Sequence, residues 1–350
     1  MKYRAVGLPW RSGIGMDVSG CETSIEVMEK AKLDFNVAKC ELVAKMPFSI
    51  NGNNTLDDDC FVHDGNIYRE CENAFATYRT DYNVPLGVVK QKYEIVQNTE
   101  AFRFFDEAIE EGGAEWVSAG IFGLGHKIFI TAKLKYDTNV NGDPIDNYLV
   151  FSNSHDGSQS IDIMFTPIRV FCTNCLAAGF KDATSHIKFK HTSSAKSKLE
   201  EASRVLHIAC NNADNATFIY NSLACINKTD VEVKNFLAKL ILTPDELHEV
   251  LGFNQYGIDA VFNLDRNFCD KVNVSTRKAN QLYTMFDYYK NGVAQQDIVG
   301  TAWGVYNAVT GYYSNVASIT GEKRMNSLLY GNANKVMTTA LQDLALNEAA

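Results

Sequence analysis

The stretch from Ile161 to Phe180, IDIMFTPIRVFCTNCLAAGF, concentrates residues that could do chemistry. Within it lie Arg169, Cys172, Asn174 and Cys175. A guanidinium can form paired hydrogen bonds to phosphate oxygens, so the arginine is a candidate anion ligand. Two cysteines at C-x-x-C spacing supply half of the four ligands that a structural zinc ion needs. The stretch therefore suggests either anion binding or metal binding.

The zinc hypothesis requires two further ligands. His186 and His191 follow at H-x4-H spacing, so Cys172, Cys175, His186 and His191 form an acceptable pattern, although the separation between the two pairs is short. The alternative is that both cysteines are small buried apolar side chains at the end of a strand. We adopt this second interpretation, and we expect neither a metal nor a cofactor.

Several elements must position these side chains. Alternation over residues 161–166 predicts a strand with one buried face. Pro167 cannot donate to a central ladder, so an edge or a bulge is expected there. Asn174 is a candidate N-cap, which predicts a short helix over residues 175–179.

The wider pattern predicts an α+β fold. Alternating segments separated by turn signals run from Trp116 to Cys172 and indicate an antiparallel β-meander with flanking helices. A capping box at Thr23 predicts a helix before the meander. Helical periodicity dominates the C-terminal part. We therefore predict an α+β domain over residues 1–190 and a helical domain over residues 191–350 that packs on it.

Composition restricts the class of protein. The 350-residue chain has a net charge of −9, which argues against general attraction to nucleic acid or acidic membranes but permits a local basic patch. Nine cysteines without framework spacing are typical of a reducing compartment. The N-terminus resembles no signal peptide, and no segment approaches the roughly 20 apolar residues of a membrane helix. We expect a cytoplasmic protein.

One stretch after Gly179 is basic, and it suggests a phosphate-binding surface. Lys188 and Lys190 would share one face of a short strand and could bind phosphate there. The alternative is that this face is an ordinary solvated surface. Other cations of the predicted sheet could lie beside it. The predicted nucleic-acid contacts are Arg169, Lys188, Lys190, His191, Lys127 and Lys133, with Tyr93 as a stacking residue or, alternatively, a core tyrosine.

No catalytic constellation emerges. Asp57–Asp59 are consecutive, so their side chains diverge, and His155 with Asp156 suits a turn. His248 and Glu249 lack a second histidine four residues on. We predict no catalytic residue and favour a protein that is not an enzyme, with an uncharacterised enzyme as an alternative.

Six segments occur in an order that resembles a known family. They are LPWRSGIG, AKLDFNV, LGVVKQKYEIVQNTEAF, SHDGS, RVFCTNCL and GTAWGVYNAVTGYY. Together they resemble the phage/plasmid-like protein family, also called domain-of-unknown-function family 932. The resemblance covers nearly the whole chain and implies phages, plasmids and integrated elements as the source, but it implies no established activity.

A second resemblance is to the Rad-type single-strand annealing proteins. Their core is a helix, a β-meander and a second helix, with a tyrosine before the first helix. Tyr93, the helix from Thr99, the meander over Trp116–Cys172 and the predicted helix from Cys175 follow that order. The basic, alanine-rich second helix of those proteins is not matched. This resemblance implies oligomeric rings and single-stranded DNA as the ligand.

Two functional hypotheses follow from these observations. The first is a single-stranded DNA-binding or annealing protein of phage or plasmid replication or recombination, acting as a homo-oligomer. The second is a protein-binding anti-defence or regulatory factor of a mobile element, with host or phage proteins as partners. Neither hypothesis involves a membrane.

Overall fold

The computed structural model describes residues 3–11, 13–46, 60–110, 113–136, 138–176, 186–195 and 205–346. In these residues, two antiparallel sheets precede a mostly helical C-terminal region, so the predicted α+β class is confirmed. The strands, in chain order, are β1 (Gly15–Asp17), β2 (Val37–Met46), β3 (Cys60–His63), β4 (Asn66–Arg79), β5 (Val84–Lys90), β6 (Ala114–Phe122), β7 (Lys127–Leu134), β8 (Thr138–Val140), β9 (Asp143–Ser154), β10 (Ile161–Arg169), β11 (Asn174–Cys175) and β12 (His186–Phe189).

Helices flank and follow the strands. In chain order they are α1 (Ser24–Ala31), α2 (Asn98–Glu110), α3 (Val205–Ala224), α4 (Asp230–Ile241), α5 (Pro244–Leu251), α6 (Asn254–Phe262), α7 (Arg266–Lys271), α8 (Thr276–Asn291), α9 (Ala302–Gly311), α10 (Gly321–Leu329) and α11 (Asn332–Leu346). Within the described part of the chain, no helix has the length and apolar character needed to cross a membrane.

The larger sheet contains the predicted meander. Strands β6, β7, β9 and β10 are hydrogen-bonded neighbours in chain order, with β1 on one side. The outer edge of β10 pairs with β12 as far as Met164 and with β11 from Ile168 onward. Pro167 lies between these two pairings, where no amide donor is required, and pairs with Asn147 on its inner side. The predicted edge position of this proline is confirmed.

The predicted helix start at Asn174 is wrong. Asn174 and Cys175 form β11 and pair with Arg169 and Ile168, because the chain reverses through a tight turn in which Thr173 has φ 52°. The Asn174 amide donates to the carbonyl of Asn307 in α9 instead of capping a helix. Residues 177–185, which include the predicted helix end, lie outside the described part.

The larger sheet is covered on both faces because successive residues of a strand point in opposite directions. One face, with Ile163 and Phe165, shares a core with α1 and α2. The other face, with Met164, shares a core with the C-terminal helices, including Trp303. The helical part therefore packs on the sheet. The domain boundary at residue 190 stays a prediction.

The smaller sheet, in which β4 pairs with β2, β3 and β5, packs on the turn between β9 and β10. Thr77 Oγ1 donates to the His155 carbonyl at 2.7 Å. A Cβ at Gly87 would lie 2.4 Å from the Asp156 carbonyl oxygen, so this position requires glycine for the close approach. The smaller sheet therefore meets the larger one at the backbone of His155 and Asp156.

Candidate nucleic-acid interface

Arg169, the first of the predicted phosphate ligands, is buried. Its side chain is 3% exposed and its Nε donates to a carboxylate oxygen of Asp143. Its Nη2 donates to the Ala294 carbonyl at 2.7 Å, and its Nη1 lies 3.7 Å from Cys172 Sγ. The guanidinium thus holds the end of β10 against the segment after α8, and it is not presented to a polymer on the surface.

Asp143 is the buried partner of this arginine. Its Oδ2 also accepts from Trp303 Nε1 at 3.3 Å. Burial raises the pKa of Asp143, while the charge of Arg169 and the hydrogen bonds from Arg169 and Trp303 oppose that rise. The contact therefore links the sheet to α9 through a charged hydrogen-bond network.

Two predicted lysines form ion pairs at the surface. Lys133 Nζ lies 2.9 Å from Asp146, and Lys188 Nζ lies 3.2 Å from Asp162. Partly exposed pairs of this kind contribute about 0–1 kcal/mol, so they are weak structural contacts. They do, however, offset part of the positive charge that the sequence places on the sheet.

Tyr93 and His191 form a stacked pair. Their ring centroids are 4.4 Å apart at 18°. The Tyr93 hydroxyl donates to the Ser154 carbonyl at 2.5 Å, and His191 Nδ1 lies 3.0 Å from the Glu94 carbonyl oxygen. Burial raises the pKa of Tyr93 and lowers that of His191. Tyr93 therefore resembles the core tyrosine more than an open stacking platform, and His191 favours its neutral form.

This stacked pair lies beside three lysines that were not among the predicted contacts: Lys39, Lys90 and Lys92. The Tyr93 amide donates to the Lys90 carbonyl at 3.0 Å, which closes a turn that contains Lys92. Lys39 Nζ donates to the Tyr93 carbonyl at 2.7 Å. The Glu94 amide donates to the His191 carbonyl at 3.1 Å and so brings Lys190 beside the turn.

Lys127 lies at the same end of the larger sheet, opposite Ser154, whose carbonyl accepts from Tyr93. Burial raises the pKa of Asp156, but hydrogen bonds from Ser154 and Ser158 and, to a smaller extent, the positive charge of Lys127 lower it overall. We define the lysine cluster as Lys39, Lys90, Lys92, Lys127, Lys188 and Lys190.

Three members of the lysine cluster are free to bind a ligand. Lys90, Lys92 and Lys190 are exposed and make no ion pair within the described residues. Acidic groups that lie close to the cluster are Glu94, Asp156 and Asp162, the last of which pairs with Lys188. The motif K-x-K-Y at residues 90–93 was the available sequence signal, but its connection to Lys190 depends on a contact between distant segments.

The four candidate zinc ligands do not come together. Cys172 and Cys175 lie near the Arg169 end of β10, whereas His191 lies two residues after Phe189, which pairs with Ile161. Eight residues of a strand separate those ends by roughly 26 Å. Among the described residues, no group of three or more histidine, cysteine or acidic side chains could hold a metal ion. Asp57–Asp59 lie outside the described residues.

These features define an α+β protein. Its larger antiparallel sheet is covered on both faces, packs against the helical region on one of them, and carries the lysine cluster at one end. The chain belongs to the family described as Domain of unknown function (DUF932), which matches residues 85–340. That range includes every member of the lysine cluster except Lys39. Neither the curated proteins nor the solved structures contain a match to this chain.

Proposed function

We propose that this protein binds single-stranded nucleic acid, and that the lysine cluster contacts the phosphates. The observation that supports the proposal is the convergence of Lys90, Lys92 and Lys190 beside the Tyr93–His191 pair. These lysines come from segments about 100 residues apart in a chain with a net charge of −9. A local patch of this kind can attract a polyanion even when the whole molecule is acidic.

The proposed contacts go to phosphates and not to bases. Lysine is a flexible point charge, so it neutralises phosphate without reading the sequence. Tyr93 already stacks on His191 and donates its hydroxyl to Ser154, so the pair holds the two lysine-bearing segments together. Binding should therefore depend strongly on salt and weakly on nucleotide sequence.

The triple variant Lys90→Glu/Lys92→Glu/Lys190→Glu tests this proposal. We expect affinity for a fluorescein-labelled oligonucleotide of mixed sequence to fall at least roughly tenfold at low salt. Because each phosphate contact on a single strand adds about 0.7 to the slope of log K against log salt, the slope should decrease by about 2. Fluorescence anisotropy across a salt series measures both quantities.

The matched control is Lys239→Glu/Lys323→Glu/Lys335→Glu, which reverses three exposed lysines of the helical region. Its net charge equals that of the test variant, so a general charge effect would weaken both proteins equally. If the wild-type protein does not bind at low salt, or if the two variants lose the same affinity, the lysine cluster is not a nucleic-acid interface.

A second candidate function is protein binding, and exposed apolar side chains of the smaller sheet favour it. Val43 and Phe61 lie on one face of that sheet and Met46 and Val62 on the other, and all four are 38–57% exposed. Groups of exposed apolar side chains mark interaction surfaces. Affinity capture from host lysate, with and without nuclease treatment, separates a protein partner from one that nucleic acid bridges.

The resemblance of the six ordered segments to phage/plasmid-like proteins suggests a wider role for nucleic-acid binding. We propose replication or recombination of a phage or plasmid in the cytoplasm of the host, with several copies of the chain acting together. Analytical ultracentrifugation with and without an oligonucleotide tests the assembly. A monomer under both conditions would contradict it.

A further inference from the structure

A cleft lies on the far side of the molecule from the lysine cluster, where the sheet meets the helical region. Its volume is about 290 Å³. The β8–β9 turn, the end of β10 and the residues before α9 form its walls. Lining side chains that bear on its chemistry are Asp143, Arg169, Phe171, Asp297, Thr301 and Trp303. Junctions between structural units are common places for small-molecule sites.

Asp143 supplies an unused hydrogen-bond acceptor in this cleft. The residue is 6% exposed, and its Oδ2 accepts from both Arg169 and Trp303. Its Oδ1 is buried and accepts no hydrogen bond. A buried carboxylate oxygen without a donor has lost its hydration without compensation, so a ligand that donates to Oδ1 would remove that penalty.

The charge of the cleft selects the sign of the ligand. The positive charge of Arg169 is balanced by Asp143, with which it forms an ion pair. Asp297 is exposed and makes no ion pair within the described residues, and its charge adds to the rise in the pKa of Asp143 that burial causes. The cleft therefore has an excess negative charge, which attracts cations and repels anions.

Aromatic side chains favour an organic cation over a simple metal ion. Phe171 is 59% exposed at the cleft, whereas Trp303, which also lines it, is fully buried. Aromatic faces attract ammonium groups and contact the apolar part of an organic ligand. Two carboxylates and an apolar wall thus match a molecule with one charged end and one apolar end.

We propose that this cleft binds a small organic cation whose primary ammonium group donates to Asp143 Oδ1 and lies near Asp297. The apolar part of the ligand packs against Phe171. This site is separate from the lysine cluster, so the two proposals can fail independently.

Benzylamine, which is protonated at neutral pH, is the probe, and benzyl alcohol is its uncharged counterpart. We expect isothermal titration calorimetry to detect benzylamine binding and much weaker or no binding of benzyl alcohol. Asp297→Lys places a permanent ammonium at the cleft and should weaken benzylamine binding by at least about tenfold. Because Asp297 is exposed, this variant should keep the fold, which circular dichroism checks.

The control variant is Asp245→Lys, which makes the same charge change at an exposed position of α5 outside the cleft. It should bind benzylamine as the wild-type protein does. Absence of benzylamine binding to the wild-type protein overturns the proposal. Equal binding of benzyl alcohol, or equal weakening in the two variants, also overturns it. Asp297→Lys should not reduce oligonucleotide affinity if the two sites are separate.

Discussion

Replacement of Arg169 by alanine is expected to destabilise the protein by about 3–5 kcal/mol, because it leaves the Asp143 carboxylate buried without its partner. The variant also loses the bond to Ala294 that joins β10 to the helical region. Urea unfolding followed by circular dichroism measures the change in the free energy of unfolding. The sequence predicted Arg169 as a nucleic-acid contact, and replacement of such a surface contact would weaken DNA binding and leave the fold intact.

A double variant tests whether an Arg169 substitution acts by breaking the buried ion pair with Asp143 or by removing a ligand contact. Arg169→Met/Asp143→Leu removes both charges, and replacement of a buried ion pair by apolar residues is often nearly neutral. We expect it to recover much of the stability lost in Arg169→Ala, although Trp303 Nε1 then lacks its acceptor. If Arg169→Ala has the same urea midpoint of unfolding as the wild-type protein but fails to bind oligonucleotide, Arg169 is a ligand contact.

Acid is expected to destabilise the protein through His155. This residue is fully buried, and its Nε2 lies 2.9 Å from Asn98 Oδ1, so the neutral ring donates to the amide oxygen. Burial, assisted by the charge of His191, lowers the pKa of His155 from 6.5 to about 4. Below pH 6.5 the unfolded chain gains a proton that the folded chain does not accept until about pH 4.

The contribution of His155 to the free energy of unfolding should therefore be fully present above pH 6.5. The free energy should fall by about 3 kcal/mol as pH decreases towards 4. His191, whose pKa burial also lowers, contributes in the same direction. The free energy of unfolding, measured in urea at half-unit steps of pH, gives the profile. His155→Gln removes the titrating ring and keeps a donor for Asn98, so the profile should flatten over this range.

The control for this experiment is His63→Gln, because His63 is an exposed residue of the β3–β4 hairpin. Its pH profile should match that of the wild-type protein. An unchanged slope in His155→Gln would mean that carboxylates, and not this histidine, cause the acid sensitivity.

Local patterns in the sequence determined most of the elements. Alternation predicted β10 and the meander, because strand residues face opposite sides of a sheet whatever lies beyond them. The capping box at Thr23 predicted the start of α1 for a similar reason: a cap and its amide are three residues apart. Such signals depend on residues that are close in the chain, and those residues remain close in the folded protein.

Contacts between distant segments decided the rest. The pattern around Asn174 suits a helix cap, but a partner strand at Arg169 and an amide contact with Asn307 made it part of a sheet. Likewise, Lys90 and Lys190 became neighbours only when the turn before α2 bonded to the chain after β12.

Arg169 is the clearest case of a residue whose environment depends on contacts between distant segments. Its position on a strand was predictable from the sequence. The acid 26 positions earlier that neutralises it, and the helices that bury it, were not. Sequence by itself determined which charges this protein has and which elements carry them. The tertiary structure decided which charges meet a partner and which meet water, because burial and ion pairing depend on distances that the order of residues does not contain.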